Sequence, residues 1–265
     1  MTRAGIFLET SVQTYRIVAE RNAQEQVEKQ FRTLAPNLFT SHYVWMEYQR
    51  TVVADYAHIH QLMVTHRNWG KVIAHLLAGQ RSFRPQAALR CSQIVGLLHE
   101  ESAGDWKFAL RLIEQALHLD LRERFWMHVT ALSDPIGCDL VALGCQRQVD
   151  TTFAVASTCR KATATCHLPE FLFKQRGKLQ AIADYLVVHS HAIKNQARVE
   201  RLLTEVLQDP RAVLGQSACW PLGDVIIALQ VPSNTALWTR DPDFGPLTAA
   251  LGIPLYEQPK PMLGS

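Results

Sequence analysis

Two neighbouring segments decide the fold of this chain: Leu222-Gly223-Asp224-Val225-Ile226-Ile227-Ala228-Leu229 and Ala236-Leu237-Trp238-Thr239-Arg240-Asp241-Pro242-Asp243-Phe244. The first is an apolar run of helical length that Asp224 opens, and the second is a short apolar run typical of a buried strand, which Asp241 ends before a proline-containing turn. Ligand sites in open α/β sheets gather at the carboxyl ends of parallel strands, so the two carboxylates are predicted to converge there. Taken singly, each is more simply explained as a helix cap or a turn residue.

Two further acids follow predicted strands in the amino-terminal part of the chain. Gly5-Ile6-Phe7-Leu8 has the pattern of a short buried strand, and Glu9-Thr10-Ser11 ends it with a carboxylate and two hydroxyl groups that can cap a helix. Leu38-Phe39-Thr40-Ser41-His42-Tyr43-Val44-Trp45-Met46-Glu47 predicts a second strand and the start of a helix that carries Glu47. Glutamate is a good helix former, so Glu47 could also be a plain solvent-facing residue.

Together these segments resemble the two halves of a PIN domain, a metal-dependent nuclease of mixed α/β fold. The carboxyl-terminal resemblance lies in Gly-Asp-x-x-Ile-Ala, in Leu-x-Thr-Arg-Asp-x-Asp-Phe and in the closing Leu251-Gly252-Ile253-Pro254-Leu255. The amino-terminal resemblance lies in Leu8-Glu9-Thr10-Ser11-Val12, where Glu9 stands in place of the family's aspartate. The central half of the chain resembles no family that its motifs identify.

The resemblance implies an α/β fold with a PIN-like parallel sheet flanked by helices. Residues 1–50 and 210–258 would form the nuclease core, and residues 51–209 would form a mostly helical insertion. Apolar residues at three- and four-residue spacing predict helices within the insertion. A polar amino-terminal helix is predicted at Gln13–Leu34. The helical segments predicted after it are Tyr48–Val64, Val72–Leu77, Ala87–His99, Trp106–Leu132 and Leu168–Gln208.

The resemblance also implies the site and its cofactor. Crowded carboxylates have raised pKa values unless a cation neutralises them, and oxygen ligands suit Mg²⁺ or Mn²⁺. Such ions would polarise a phosphodiester and activate water for in-line attack. The implied catalytic and metal-binding residues are Glu9, Glu47, Asp224 and Asp241. The implied supporting residues are Asp243, as a further ligand or the holder of a water, and Thr10, Ser11 and Thr239, as hydrogen-bonding groups that orient carboxylates or the scissile phosphate.

A second metal site is predicted from the cysteines of residues 134–168. Cys138 with Cys145, and Cys159 with Cys166, form two Cys-x6-Cys pairs that could hold a structural Zn²⁺. Zinc modules more often use Cys-x2-Cys or Cys-x4-Cys spacing. The alternative is four unconnected thiols, some of them buried as small apolar residues.

Composition narrows the class of protein. The chain has 265 residues, of which 48% are hydrophobic and 19% are charged, which predicts a folded globular protein. No stretch approaches the roughly 20 apolar residues of a membrane span, so we expect a soluble, cytoplasmic protein with no membrane partner. The net charge of +3 permits binding to a polyanion. Basic residues that could line a nucleic-acid groove, or be a solvated helix face, are Lys174, Arg176, Lys178, Lys194, Arg198 and Arg201.

Three functions remain open on the sequence alone. The leading prediction is a PIN-like, Mg²⁺- or Mn²⁺-dependent endonuclease that acts on nucleic acid, with RNA favoured over DNA. The second is a catalytically weak or inactive PIN-like scaffold that binds a partner protein or nucleic acid, which Glu9 in place of aspartate favours. The third is a helical, zinc-dependent interaction protein. From the resemblance we also expect that the protein binds an inhibitor or a complex partner protein and that it forms a homodimer.

Overall fold

The computed structural model describes residues 5–79, 85–156, 159, 166–213 and 215–257. Residues 1–4, 214 and 258 of the predicted core, and 157, 158 and 160–165 of the predicted zinc segment, lie outside the described residues. The chain is an α/β protein, mostly helical, in which helices flank a four-stranded parallel sheet. This confirms the predicted fold class at that level. In the ranges described, no helix is long and apolar enough to cross a bilayer.

The strands form two sheets. In chain order they are β1 (Gly5–Leu8), β2 (Leu38–Thr40), β3 (Thr130–Ala131), β4 (Cys145–Arg147), β5 (Phe153–Val155) and β6 (Thr235–Trp238). The main sheet has the order β3-β2-β1-β6 and all of its neighbours run parallel. Strands β4 and β5 form a separate antiparallel pair. An isolated parallel bridge from Leu237 to Leu255 extends the main sheet beyond β6.

Helices account for most of the remaining described chain. In order they are α1 (Thr10–Val18), α2 (Arg21–Leu34), α3 (His42–Tyr48), α4 (Ala54–His66), α5 (Trp69–Gly79), α6 (Pro85–Glu101), α7 (Trp106–Gln115), α8 (Leu121–Trp126), α9 (Asp139–Leu143), α10 (Leu168–Lys174), α11 (Arg176–Val188), α12 (Gln196–Gln208), α13 (Gln216–Cys219), α14 (Gly223–Gln230) and α15 (Phe244–Leu251). Short π-helical turns join α3 to α4 and α7 to α8.

The centre of the main sheet, at β1, is buried on both faces. In β1, Phe7 faces the large hydrophobic cluster that the helices α3, α4, α11 and α14 share, while Ile6 and Leu8 face a smaller cluster with residues of α1 and α2. Successive side chains of a strand point to opposite faces, so the unbroken apolar run of β1 is what a strand covered on both sides requires. The parallel strands therefore end at one common edge inside the protein.

Three sequence-based predictions of helices are wrong in part. The predicted helix Leu168–Gln208 is divided into α10, α11 and α12, with turns over residues 189–195. The predicted helix Trp106–Leu132 ends at Trp126, and Thr130–Ala131 is instead the edge strand β3. Both β3 residues are exposed, so no apolar pattern marks them as a strand. The predicted helix Gln13–Leu34 is split into α1 and α2 by a break at Ala19 and Glu20. The segment 51–209 thus contributes a strand to the main sheet as well as helices.

A buried ion cluster fixes α1 against α2 and α8. Arg16 is fully buried, and its Nε lies 2.8 Å from Glu28 Oε1. Arg124 Nε lies 2.9 Å from the same oxygen, and the Arg16 guanidinium stacks over the Phe31 ring at 4.2 Å. Burial alone raises the pKa of Glu28, but hydrogen bonds and charge from both arginines more than offset it and hold that pKa below its usual value.

We expect Glu28→Ala to lower the free energy of unfolding by about 3 kcal/mol, because it leaves the buried Arg16 charge without its carboxylate. Urea unfolding followed by circular dichroism measures this. The matched control is Glu25→Ala on the exposed side of the same helix, which should change stability by less than about 0.5 kcal/mol. Equal effects of the two substitutions would show that the ion cluster does not hold the helices together.

Candidate active site

The structure brings the four predicted acids to the carboxyl edge of the main sheet. Glu9 follows β1 directly, and Asp241 follows β6, the strand beside β1. Glu47 lies in α3, which begins just after β2, and Asp224 lies in the first turn of α14. The acids lie close enough that the charge of Asp224 raises the pKa values of both Glu9 and Glu47. Residues far apart in the chain thus form one acidic site.

Glu9 is buried and held by three hydrogen bonds. It is the N-cap of α1, and the Ser11 amide donates to its Oε1 at 2.8 Å. The hydroxyls of Ser11 and Thr239 both donate to Oε2, the latter at 3.0 Å. Burial raises the pKa of Glu9 to about 7, and the charge of Asp224 adds to that rise against the opposing hydrogen bonds. Two of the predicted supporting hydroxyls therefore orient this carboxylate.

Glu47 faces Glu9 from α3 and rests on the backbone of α14. The Thr10 hydroxyl donates to its Oε2 at 2.9 Å. A Cβ added to Gly223 would lie 2.5 Å from Glu47 Oε1, so a larger residue there would make this carboxylate oxygen shift from its position. Burial raises the pKa of Glu47 to about 8, and the charges of Asp224 and Glu9 contribute.

A lysine contacts the two carboxyl-terminal acids Asp241 and Asp243. The Lys194 Nζ lies 3.4 Å from Asp241 Oδ1 and 3.4 Å from Asp243 Oδ2. The Asp243 amide donates to Asp241 Oδ1, and the Asp241 amide donates to Thr239 Oγ1, both at 3.0 Å. Burial raises the pKa of Asp224 to about 6, the charges of Asp241 and Asp243 add to the rise, and Lys194 opposes it.

Glu47, Asp224 and Asp241 line a groove of about 1000 Å³, whereas Glu9 is buried and is not part of its lining. Its lining includes Glu47, Arg50, Lys194, Asn195, Arg198, Trp220, Asp224, Asp241 and Asp243. The Arg50 guanidinium stacks on the Trp220 ring at 3.4 Å, which places a cation and an aromatic face beside the acids. The sequence analysis missed Arg50 and Trp220, since only the fold brings them together. It named Lys194 and Arg198 among the basic residues without linking them to the acids.

The donor chemistry of the site fits a divalent cation. Carboxylate and hydroxyl oxygens are the ligand type that Mg²⁺ and Mn²⁺ take in proteins. The raised pKa values of Glu9, Glu47 and Asp224 show that their anionic forms lack compensating charge, which a cation would supply. In this conformation, no group of three or more His, Cys, Asp or Glu residues among those described could hold a metal ion. The site therefore fits a divalent cation in the type of its donor atoms and in its charge, and the described part of the chain does not present a complete set of ligands in this conformation.

The four cysteines of the predicted zinc segment are all free thiols. Burial raises the pKa of Cys138 to about 11, and the neighbouring Cys166 and Cys159 add to that rise. Burial alone raises the pKa of Cys145, which lies in β4, to about 11. Cys138 therefore neighbours Cys159 and Cys166, while its predicted partner Cys145 is not among the groups that act on it. Zinc binding by this segment stays a prediction.

Comparison of the chain with protein-family models, with curated proteins and with solved structures gave no match. The motifs and the geometry of the acidic site are therefore the features that point to a function.

Without divalent cations, Glu47→Gln should stabilise the protein by about 2 kcal/mol at pH 8 and by much less at pH 5. Glu47 has a raised pKa in the folded state, so it favours folding while protonated and that contribution is lost as the pH rises through about 8. Urea unfolding in EDTA across this pH range measures the difference between variant and wild type. Glu25→Gln is the control, and a difference that does not grow with pH would contradict the crowding of the acids.

Proposed function

We propose that the chain is a divalent-metal-dependent nuclease of the PIN type that hydrolyses phosphodiester bonds, with RNA as the favoured substrate. One observation carries the proposal: the four acids that the motifs single out meet at one edge of the sheet, where burial and mutual repulsion raise the pKa values of three of them. Buried carboxylates that repel one another are costly for stability, so their gathering in one cleft is a functional-site signature.

Each residue of the site has a part in this proposal. Glu9, Glu47, Asp224 and Asp241 would hold Mg²⁺ or Mn²⁺, with Asp243 beside them. The bound ion would polarise the phosphodiester and make water a stronger nucleophile. Ser11 and Thr239 fix both oxygens of Glu9, and Thr10 fixes one oxygen of Glu47, so these hydroxyls limit the freedom of the ligands.

Glutamate at position 9 is compatible with this arrangement. Its stem is one methylene longer than the aspartate of the family, yet it caps α1 and its carboxylate is fixed by Ser11 and Thr239. A side chain held at both oxygens retains a defined direction despite the added torsion. Glu9 is therefore held in one direction, which is compatible with a role as a metal ligand.

The groove supports a polyanionic substrate. Arg50, Lys194 and Arg198 place positive charge beside the acids, and the planar Arg50 guanidinium lies stacked on one face of the Trp220 ring. Basic groups contact phosphates and aromatic rings stack on unpaired bases, so a single strand suits this lining. RNA rather than DNA and a homodimer complete the proposal and rest on the resemblance alone. A cytoplasmic location stays an expectation from the sequence.

A catalytically inactive, nucleic-acid-binding scaffold is the second candidate. The observation that favours it is the Lys194 ammonium between Asp241 and Asp243, which balances two of the acids without a metal ion. In that case the groove would bind nucleic acid and the acids would have no part in cleavage.

We expect the wild-type protein to cleave fluorescently labelled single-stranded RNA in Mn²⁺ or Mg²⁺. The Asp224→Asn/Asp241→Asn variant should lose at least about 100-fold in rate, more than the loss of an outer hydrogen bond costs. Asp184→Asn removes one carboxylate at an exposed position of α11, is the control, and should retain the wild-type rate.

Gel analysis of the products, with single-stranded DNA of the same sequence in parallel, gives the substrate class. Cleavage that persists in the double variant would point to a contaminant or to other residues. RNA that binds to the wild type and stays intact would overturn the nuclease proposal in favour of the scaffold.

A further inference from the structure

Lys194 is the residue of the central segment that enters the acidic site. It lies in the turn between α11 and α12, just before Asn195, whose backbone is left-handed at φ 54°. Its ammonium lies 3.4 Å from oxygens of both Asp241 and Asp243, and its charge also acts on Asp224. The Lys194 ammonium of the central segment thus balances the carboxylates that follow strand β6.

This ion pair has the features of a replaceable contact. The Lys194 side chain is 55% exposed, against 13% for that of Asp243. Pairs with an exposed lysine contribute only about 0.2–1 kcal/mol, because water screens the charges and the long side chain loses freedom. A divalent ion carries twice the charge and binds carboxylates as ligands. It can therefore take the oxygens that Lys194 holds.

A freed ammonium would remain in the groove. Lys194 lines the same space as Asn195 and Arg198, the latter held by a 3.0 Å hydrogen bond to the Ser217 carbonyl. The four-carbon stem lets the ammonium move while the backbone stays in place, and lysine is a common phosphate ligand. Glu47 and Arg50 are the other charged groups that line this part of the groove with the aspartates.

We infer that Lys194 is an exchangeable internal cation: it balances Asp241 and Asp243 until a divalent ion binds, and the ion releases its ammonium to contact a phosphate of the nucleic acid. The inference rests on the proposed function, because it takes the acids as the metal site. It adds a coupling, since metal binding supplies the groove with a positive charge and so raises the affinity for nucleic acid.

The first test is calorimetric titration of Mn²⁺ into metal-free protein, with no nucleic acid present. Lys194→Met should bind Mn²⁺ up to about fivefold more tightly than wild type, because the ion no longer displaces an ammonium. Lys174→Met, an exposed lysine of α10, is the matched control and should bind as wild type does. Unchanged or weaker Mn²⁺ binding by Lys194→Met would overturn the inference.

A second test needs no metal. In EDTA, Lys194→Met should lower the urea midpoint of unfolding in the wild-type background, because Asp241 and Asp243 lose their cation. The same substitution should have little effect in an Asp241→Asn/Asp243→Asn background. Equal losses in both backgrounds would show that Lys194 acts elsewhere and would overturn the inference.

A third test follows the released ammonium. Fluorescence anisotropy with labelled single-stranded RNA, in Ca²⁺ or in EDTA across a range of salt, gives the number of phosphate contacts. The plot of log affinity against log salt should be steeper by about 0.7 for wild type in Ca²⁺ than in EDTA, the value of one contact to a single strand. Lys194→Met should show the same slope in both, and a wild-type slope that Ca²⁺ leaves unchanged would overturn the release step.

The failures of the two proposals are distinguishable. If wild type binds Mn²⁺ and cleaves RNA while Lys194→Met binds Mn²⁺ with wild-type affinity, only the exchange is overturned. If neither protein binds Mn²⁺, both the proposed metal site and the inference about Lys194 are overturned.

Discussion

The negative charge gathered at the carboxyl edge of the main sheet is the constraint on which the rest of the site depends. Glu9, Glu47 and Asp224 are removed from water far enough that their pKa values rise to about 7, 8 and 6. Such carboxylates destabilise the fold as the pH rises unless hydrogen bonds or cations compensate. The hydroxyls of Thr10, Ser11 and Thr239, and the ammonium of Lys194, offset part of this cost, and the pKa values stay raised.

The fold produces this crowding by simple means. Strands β1 and β6 lie side by side and parallel, so the residues that follow them leave the sheet at the same edge. Buried apolar side chains on both faces fix these strands, and Gly223 leaves room for the Glu47 carboxylate, which a Cβ there would displace. The central segment is integral to this arrangement, because it supplies both the edge strand β3 and Lys194.

The sequence predicted what short local patterns encode. The apolar runs of β1, β2 and β6 and the helix that Asp224 opens were foreseen because burial and helix starts leave a signal within a few residues. Strand β3 was not foreseen, because its two exposed residues carry no apolar pattern. The sequence predicts Lys194 within a helix, either in a nucleic-acid groove or on a solvated face. It lies instead in a turn, and its contact with Asp241 spans residues far apart in the chain. Contacts between residues so far apart in the chain can be identified only from the folded structure.

Anomalous diffraction at the manganese edge, from crystals of the wild-type protein grown with Mn²⁺, tests the metal site most directly. We expect a manganese peak in the groove contacted by oxygens of Glu47, Asp224 and Asp241, with the Lys194 ammonium displaced from Asp241. A groove with no anomalous peak at saturating Mn²⁺, and with Lys194 still between Asp241 and Asp243, would contradict a metal-dependent nuclease.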